Sequence, residues 1–348
     1  MLEAAYRSYK LLFKRPAGTA RGVLHQRPTW FITLRQGEKT GIGECGLFPG
    51  LSVDDRPDFE KKLRWTCENI HLGPTALAGA LLDFPTIRFG LEMAFKSLEA
   101  EHNMELFPSS FTRGRASIPI NGLVWMGDAD FMRAQIRAHI ERGFSCIKMK
   151  VGALDFDVEC EILGAVRQTF SAQSLTLRLD ANGAFSAREA LRKLKILSRF
   201  EVHSIEQPIA PGKWKQLAEL CARTPIPIAL DESLIGVHTK VAQAALLDAI
   251  APQYIVLKPT LVGGFAAAAQ WIRRAEQRRI GWWITSALES HIGLNAIAQW
   301  VYTRRNPTPQ GLGTGSLFTN DIASPLRMEG GCLRMAAGGQ WNLDILEA

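Results

Sequence analysis

The sequence has no apolar run long enough to cross a membrane. Of its 348 residues, 47% are hydrophobic and 22% are charged, which is usual for a soluble globular protein. No stretch reaches the roughly 20 apolar residues that a membrane-spanning helix needs. The first residues, MLEAAYRSYK, contain an acid at Glu3 and no apolar core before a cleavage site, so we expect no signal peptide. These absences predict a cytoplasmic protein without a membrane partner.

Paired cysteine motifs are also missing. The chain has six cysteines, and none of them stands in a CxxC motif: Cys45, Cys67, Cys146, Cys160, Cys221 and Cys332. Scattered cysteines in a cytoplasmic chain of this length indicate reduced thiols and not a disulfide framework.

The formal net charge of +7 comes without a nucleic-acid motif. The densest basic cluster, RRAEQRR at residues 273–279, has helical spacing and includes Glu276. It has no interleaved aromatic residues that could stack on bases. We interpret it as a solvated helix face and predict no nucleic-acid partner. A mild positive field would still attract small anions.

From residue 116 onward, short apolar strands alternate with helical stretches. The predicted strands are ASIPING, SCIKMKV, LTLRLDAN, HSIEQP, IPIALDES, YIVLKP, WWITSALE and GLGTG. Polar or small residues end seven of them at intervals of 25 to 30 residues: Lys150, Asp180, Glu206, Asp231, Lys258, Ser286 and Gly313. Eight even strand–helix units predict a closed parallel barrel. An open doubly wound sheet is disfavoured because no GxGxxG turn follows the first strand.

The residues before the barrel have a different character. Two strands surround the turn RQGEKTG, and TIRFGLEMAFKSLEAEH is an amphipathic helix. We therefore predict an α/β protein with an α+β cap over residues 1–115 and a barrel over residues 116–315. The turn-rich tail, residues 316–348, is expected to return to the cap and complete it.

Three acids end consecutive barrel strands, where the active site of such a barrel forms. The period of two places Asp180, Glu206 and Asp231 on the inner face, with leucines outside. Three inward carboxylates repel one another unless a cation lies between them, and oxygen ligands suit Mg²⁺. The alternative is that each acid caps the helix that follows it, an explanation that must then hold for three consecutive units.

Two lysines end strands that lie four positions apart in the predicted ring. Lys150 and Lys258 therefore face each other across the mouth, and Lys148 lies one layer deeper than Lys150 on the same face. A dication and neighbouring ammonium groups favour a neutral lysine, which can then act as a base. Lys148 is expected to lower the pKa of Lys150 in this way. The alternative, an edge strand whose lysines prevent aggregation, fits a strand inside a barrel poorly.

Five motifs together resemble the enolase superfamily over nearly the whole chain. They are KMK at 148–150, DAN at 180–182, EQP at 206–208, DES at 231–233 and LKPTLVGG from Leu257. The resemblance implies a cap plus a (β/α)₇β barrel, with Mg²⁺ bound by Asp180, Glu206 and Asp231. It also implies that Lys150 and Lys258 flank a small carboxylate substrate. A lysine base with Mg²⁺ is a general property of this superfamily.

The resemblance also suggests which residues surround the substrate. Backbone N–H groups and small side chains after strands seven and eight would enclose one arm of it, and the cap loop GLFPGLS would close over it. The expected contacts are Lys148, Arg178, Asn182, Ser286, Leu288, Gly311 and Gly313. Arg178 has a second interpretation, as a partner of the acids. We interpret His291, after strand seven, as a helix-start or surface residue.

The lysine on strand six separates this chain from the mandelate racemase branch, which carries an Asp–His dyad on strands six and seven. The chain is most similar to the branch that dehydrates a succinyl-hydroxycyclohexadiene carboxylate in menaquinone biosynthesis. Dipeptide epimerases or N-acylamino acid racemases are the alternative, because two facing lysines also suit proton exchange on both faces. Dipeptide epimerases usually carry a DxD on strand eight, which here reads GLGTGS.

A third hypothesis is a catalytically silent barrel that only binds. It predicts the loss of a ligand or a lysine, and none is missing. The sequence leaves the oligomeric state open, and a homo-oligomer is compatible with it.

Overall fold

The structure is a computed structural model that describes residues 1–19, 22–102, 104–336 and 338–344. The cap contains a three-stranded antiparallel sheet in the order β1-β2-β3 and three α-helices packed against it. Its elements are β1 Leu2–Thr19, β2 Gly22–Gln36, β3 Lys39–Gly46, α1 Phe59–Glu68, α2 Gly73–Ala80 and α3 Pro85–Glu99. The predicted hairpin and the predicted helix of the cap are β2–β3 and α3.

Helix α3 approaches strand β3 so closely that only glycine fits at the contact. A Cβ atom at Gly43 would lie 1.9 Å from the carbonyl oxygen of Gly90, and one at Gly90 would lie 2.3 Å from Cys45 Sγ. The close approach lets Leu91 and Ala94 of the helix pack into the apolar core of the cap.

A second sheet contains seven strands, and every neighbouring pair runs parallel. Its strands are β5 Gly122–Val124, β6 Cys146–Lys150, β7 Thr176–Asp180, β8 Ser204–Glu206, β9 Ile228–Leu230, β10 Tyr254–Leu257 and β11 Gly281–Ile284. Two single parallel bridges, Ile120–Gln310 and Thr285–Gly311, join its ends and close the ring. The predicted eighth strand is therefore present only as these bridges. The cap with a modified barrel is the predicted fold class.

Helices cover the outside of the ring. They are α4 Ala129–Glu141, α5 Phe156–Thr169, α6 Ala190–Leu197, α7 Trp214–Arg223, α8 Lys240–Ile250, α9 Pro259–Val262, α10 Phe265–Gln277 and α11 His291–Thr303. Outward strand residues such as Leu177 and Leu179 belong to the main apolar core beneath these helices. In the described ranges, no helix combines the length and the apolar character that crossing a membrane requires.

The two ends of the predicted barrel segment differ from expectation. The stretch ASIPING divides: β4, Ser117–Pro119, joins a sheet with β12, Leu326–Glu329, and β13, Cys332–Met335. Only after it does β5 enter the ring. The tail meets the cap first, where Lys14 N donates to Leu317 O, and then pairs with β4. It therefore bridges the cap and the barrel and does not belong to the cap alone.

The contact between α3 and β3 predicts unequal effects of two glycine substitutions. Gly43→Ala should destabilise the fold by about 3 kcal/mol, because its methyl group would overlap backbone atoms that cannot move away. Gly79→Ala, inside α2, is the control: among the residues that the structure describes, no atom lies within 4 Å of the position of its Cβ. That change should stabilise by about 0.5–1 kcal/mol through helix propensity. Urea unfolding measures both; equal free energies of unfolding would contradict the proposed overlap.

Candidate active site

Seven charged side chains meet at the carboxyl ends of strands β6 to β10. Register brings them together, because Lys150 is paired with Asp180 and Asp180 with Glu206 on neighbouring strands. The group consists of Lys148, Lys150, Asp180, Glu206, Asp231, Glu232 and Lys258. The three acids predicted as metal ligands are each only 1% exposed. A buried cluster of this kind persists only if its charges compensate one another.

The lysines are paired with the acids. Lys148 Nζ donates to Asp180 Oδ2 at 2.9 Å and to the two carboxylate oxygens of Glu206 at 3.1 and 2.9 Å. Lys150 Nζ lies 2.7 Å from Asp180 Oδ2, and Lys258 Nζ donates to Asp231 Oδ2. The ammonium groups thus occupy carboxylate oxygens that were predicted to bind a metal ion.

Burial and charge oppose each other in setting the pKa values of these lysines. Burial acts to lower the pKa of Lys148, but Asp180 and Glu206 outweigh it and hold that pKa above its usual range. The pKa of Lys258 is raised in the same way, against burial, by Asp231 and Glu232. Lys148 was expected to act as a free positive charge beside Lys150. Its ion pairs with two carboxylates show that its charge is largely compensated.

The pKa of Glu206 is raised by burial first and then by the like charges of Asp180 and Asp231. Lys148 opposes this effect without cancelling it. The cluster therefore favours either a proton on Glu206 or an additional cation. Within the described ranges, no three acidic, histidine or cysteine side chains converge on one point as they stand. The donor set, three carboxylates on neighbouring strands, nevertheless fits the oxygen chemistry of Mg²⁺.

Asn182 links the lysine on β6 to an acid that sequence reasoning had not assigned. Its Oδ1 accepts a hydrogen bond from Lys150 Nζ at 2.6 Å, and its Nδ2 donates to Glu232 Oε1 at 2.9 Å. The backbone of Asn182 has a φ of 44°, a left-handed conformation that asparagine tolerates better than most residues. Asn182 and Glu232 both line the cavity above the cluster. The position of Glu232 directly after Asp231 was the only sequence signal for it.

The cavity wall contains the predicted small residues together with several that were missed. Ser286, Leu288, Gly311 and Gly313 line it, as placed by the resemblance. The residues that the sequence did not indicate are Asn121, Leu123, Trp125, Thr285 and Thr314. The cap contributes Gly18 at the end of β1, and Phe48 and Leu51 from the predicted loop GLFPGLS.

The backbone N–H groups after β11, which were expected to surround the substrate, donate to partners within the cavity wall. Ser286 N donates to Gly311 O at 3.0 Å, and Leu288 N donates to Ser286 Oγ at 2.9 Å. Ala287 N donates to the carboxylate of Glu289 at 2.9 Å. All three donors are bonded within the wall, and their contact with the substrate stays a prediction.

Arg178 lies below the cavity and not on its wall. Its side chain is buried, donates to Pro309 O at 2.8 Å and stacks 4.1 Å from the centre of the Trp283 ring. Arg178 stands two residues before Asp180 on β7 and therefore lies one layer deeper, and its contact with the substrate stays a prediction. His291 begins α11, as interpreted, and its ring nitrogens contact Ile322 O and Gly315 O.

Comparison with known proteins defines the class. The family profile described as "Enolase C-terminal domain-like" matches residues 131–339. A curated relative is 47% identical to this chain over 95% of its length. The chain therefore belongs to the enolase superfamily.

That relative is the o-succinylbenzoate synthase of Desulfotalea psychrophila, of which 98% is covered. The crystal structure of MenC from the same organism superposes with a TM-score of 0.86 at 44% identity, covering 96% of this chain and 99% of that one. The o-succinylbenzoate synthase of Yersinia enterocolitica is 29% identical over 85% of this chain and 84% of its own.

A dipeptide epimerase of Enterococcus faecalis, crystallised with Mg and L-Leu-L-Tyr, has a TM-score of 0.84. Its identity is 17%, with 97% of each chain covered, and it shares the fold.

The ion pairs of Lys148 predict that its ammonium group stabilises the folded protein. With EDTA present, Lys148→Met should cost about 3–5 kcal/mol of unfolding free energy, because Asp180 and Glu206 lose a buried partner. Adding Mg²⁺ should restore part of this loss. Lys96→Met is the control, since the Lys96–Glu99 pair is solvent-exposed and should contribute at most about 0.5 kcal/mol. Equal losses in urea unfolding would show that the buried pairs are not stabilising.

Proposed function

We propose that the protein is an o-succinylbenzoate synthase of menaquinone biosynthesis. It converts 2-succinyl-6-hydroxy-2,4-cyclohexadiene-1-carboxylate into 2-succinylbenzoate and water. The observation that carries this proposal is 47% identity over nearly the whole chain to a synthase, in a chain that keeps Lys150 and Lys258 on the cavity wall and all three predicted acids buried at the strand ends. We also propose a cytoplasmic location for the reaction.

Lys150 is the proposed base. Its side chain reaches the cavity from β6, and Asn182 Oδ1, which can only accept hydrogen bonds, holds its nitrogen in place. As a neutral amine it takes the proton from the carbon that carries the substrate carboxylate. Protonated, it then gives that proton to the hydroxyl group leaving from the neighbouring carbon, so that one residue performs both transfers.

Positive charge must balance the negative charge that develops on the substrate carboxylate as the proton leaves. Mg²⁺ held by Asp180, Glu206 and Asp231 would supply a Lewis acid for this charge. Lys148, paired with two of those carboxylates, favours their ionised forms and holds them in place. The residues therefore orient the carboxylate end of the substrate toward β6 to β9.

Lys258 is the proposed cation on the opposite face of the ring. It extends from the end of β10, and Asp231 and Glu232 raise its pKa against the effect of burial. A lysine that remains protonated interacts more favourably with a ring as that ring becomes aromatic. This stabilises the product-like transition state without a proton transfer from Lys258.

The absence of an acid on strand eight supports the synthase over the epimerase. The wall there is formed by Gly311, Gly313 and Thr314, which offer no carboxylate to the free ammonium group of a dipeptide. A charged group enters a buried cavity at low cost only if a partner of opposite charge receives it, and the ammonium group of a dipeptide would lack such a partner on this part of the wall.

Purified protein should aromatise the cyclohexadiene substrate in the presence of Mg²⁺, and EDTA should abolish the reaction. The change in absorbance as 2-succinylbenzoate forms gives the rate of the reaction. Ala–Glu and similar dipeptides are tested as competing substrates. Their epimerisation is detected by the exchange of the α-proton for deuterium from the solvent. A kcat/KM for a dipeptide above that for the cyclohexadiene would replace the proposed function with the epimerase.

Substitution by arginine should affect the activity differently at the two lysines. Lys150→Ala should lower kcat by at least about 10²–10⁴-fold, and Lys150→Arg should be no better, because a guanidinium does not deprotonate near neutral pH. Lys258→Arg keeps the positive charge on the opposite face of the ring and should retain more activity than Lys258→Ala. Rates are compared at saturating Mg²⁺, with product binding measured by calorimetry. An active Lys150→Arg beside an inactive Lys258→Arg would mean that the roles are reversed.

A further inference from the structure

A second buried carboxylate, Glu289, organises the cavity wall from behind. It is 1% exposed and does not line the cavity. Its Oε2 accepts from the Ser286 hydroxyl at 2.6 Å, and its Oε1 accepts from the hydroxyl of Thr260, two residues after Lys258. Ala287 N donates to both oxygens. One side chain thus ties the loop after β11 to the segment that carries the lysine on β10.

The Ser286 hydroxyl connects Glu289 to the cavity surface by hydrogen bonds. While it donates to Glu289, it accepts from Leu288 N at 2.9 Å and from the Thr314 hydroxyl at 2.9 Å. Leu288 and Thr314 both line the cavity. A hydroxyl with one donor and two acceptor sites is fully used in this way, so Ser286 has no free donor for a ligand.

Leu288 is held in an unfavourable backbone conformation. Its φ is +65°, in the left-handed region that leucine rarely adopts. Such a conformation persists where the surroundings determine it more strongly than the residue itself does. The hydrogen bonds from Ala287 N, just before this torsion, and from Leu288 N, which belongs to it, end on Glu289 and on the Ser286 hydroxyl that Glu289 holds.

The cap fixes the other side of Glu289. Glu44, on β3 and 0% exposed, accepts from Ser290 N and the Ser290 hydroxyl, and from Gly293 N in α11. Arg27 pairs with Glu44 at 3.1 Å. A Cβ atom at Gly293 would lie 2.8 Å from both the Glu289 side chain and Glu44 Oε2. The Cβ and Cγ atoms of Glu289 and the carboxylate of Glu44 therefore close around Gly293, which leaves the Glu289 side chain little freedom.

We propose that Glu289 is a positioning residue of the reaction: its carboxylate holds Thr260, Ser286 and Ala287 so that Leu288 presents a fixed wall to the substrate. The kinetic part of this inference rests on the proposed function. Because the hydrogen-bond donors of the wall point toward Glu289, the wall recognises the non-reacting arm of the substrate by shape. Loosening it should raise KM more than it lowers kcat.

Glu289→Gln tests the inference with little change of volume. An amide oxygen cannot accept from all three donors, and the new NH₂ group would face one of them. KM should rise about tenfold with kcat within about threefold of wild type. Hydrogen exchange in a peptide covering residues 285–290 should become faster. A fall in kcat at unchanged KM, or unchanged exchange, would overturn the assignment.

Glu92→Gln is the matched control. Glu92 accepts from Ala266 N at 3.0 Å, joins the cap to α10 and does not line the cavity. Its loss should leave KM and the exchange of residues 285–290 unchanged; an equal rise in KM would mean that any cap–barrel carboxylate has this effect. If Glu289→Gln does not fold, Thr260→Val removes one donor from the same carboxylate. It should shift KM in the same direction, and an unchanged KM would contradict the proposal.

Leu288→Gly separates positioning from general stability. Glycine adopts a positive φ without strain, so the effect of Glu289→Gln on KM should be smaller in the Leu288→Gly background. An equal effect in both backgrounds would show that Glu289 does not act through this torsion. The exchange measurement needs no catalysis. If the wild-type protein is inactive but hydrogen exchange is faster in Glu289→Gln, the proposed function is refuted and the structural role of Glu289 remains supported.

Discussion

Carboxylates on neighbouring strands cannot share the buried mouth of a barrel unless positive charge lies among them. Asp180, Glu206 and Asp231 meet this constraint through Lys148, Lys150 and Lys258, which extend from the strands on either side. The alternation of the strands leaves their outer faces apolar for the helices. The same inner-face positions that assemble the site therefore also bring its like charges together, and the three ammonium groups compensate that repulsion.

The barrel supplies the charges, and the cap supplies much of the cover. Phe48 and Leu51 reach the cavity from the loop that follows β3, and β3 also carries Glu44 into the start of α11. The covering loop and the loop after β11 are therefore fixed to one buried point. A displacement of the cap would disturb the wall near Leu288 as well as the lid above it, because packed interiors transmit strain.

The acids and lysines could be predicted from the sequence because each belongs to one strand end, and a period of two determines the face on which it lies. The same alternation predicts depth, since it places Lys148 and Arg178 one layer below the strand ends. Partners could not be predicted in this way: Arg178 donates to Pro309 O, and Glu289 accepts from Thr260, which belongs to another strand–helix unit. The long edge strand β1 was missed because its inward positions shift phase between Tyr6 and Tyr9, which interrupts the strict alternation that predicts a strand.

The contact between Glu44 and Ser290 joins residues that are 246 positions apart. A ribosome would therefore release the whole cap, and most of the barrel, before α11 exists to receive the Glu44 carboxylate. During that interval Arg27 can already pair with Glu44, but water has to take the places of Ser290 and Gly293. Loop closure over such a separation is slow. The half-made protein is thus expected to hold an open, water-filled cavity, and chaperones would meet it at this stage of synthesis.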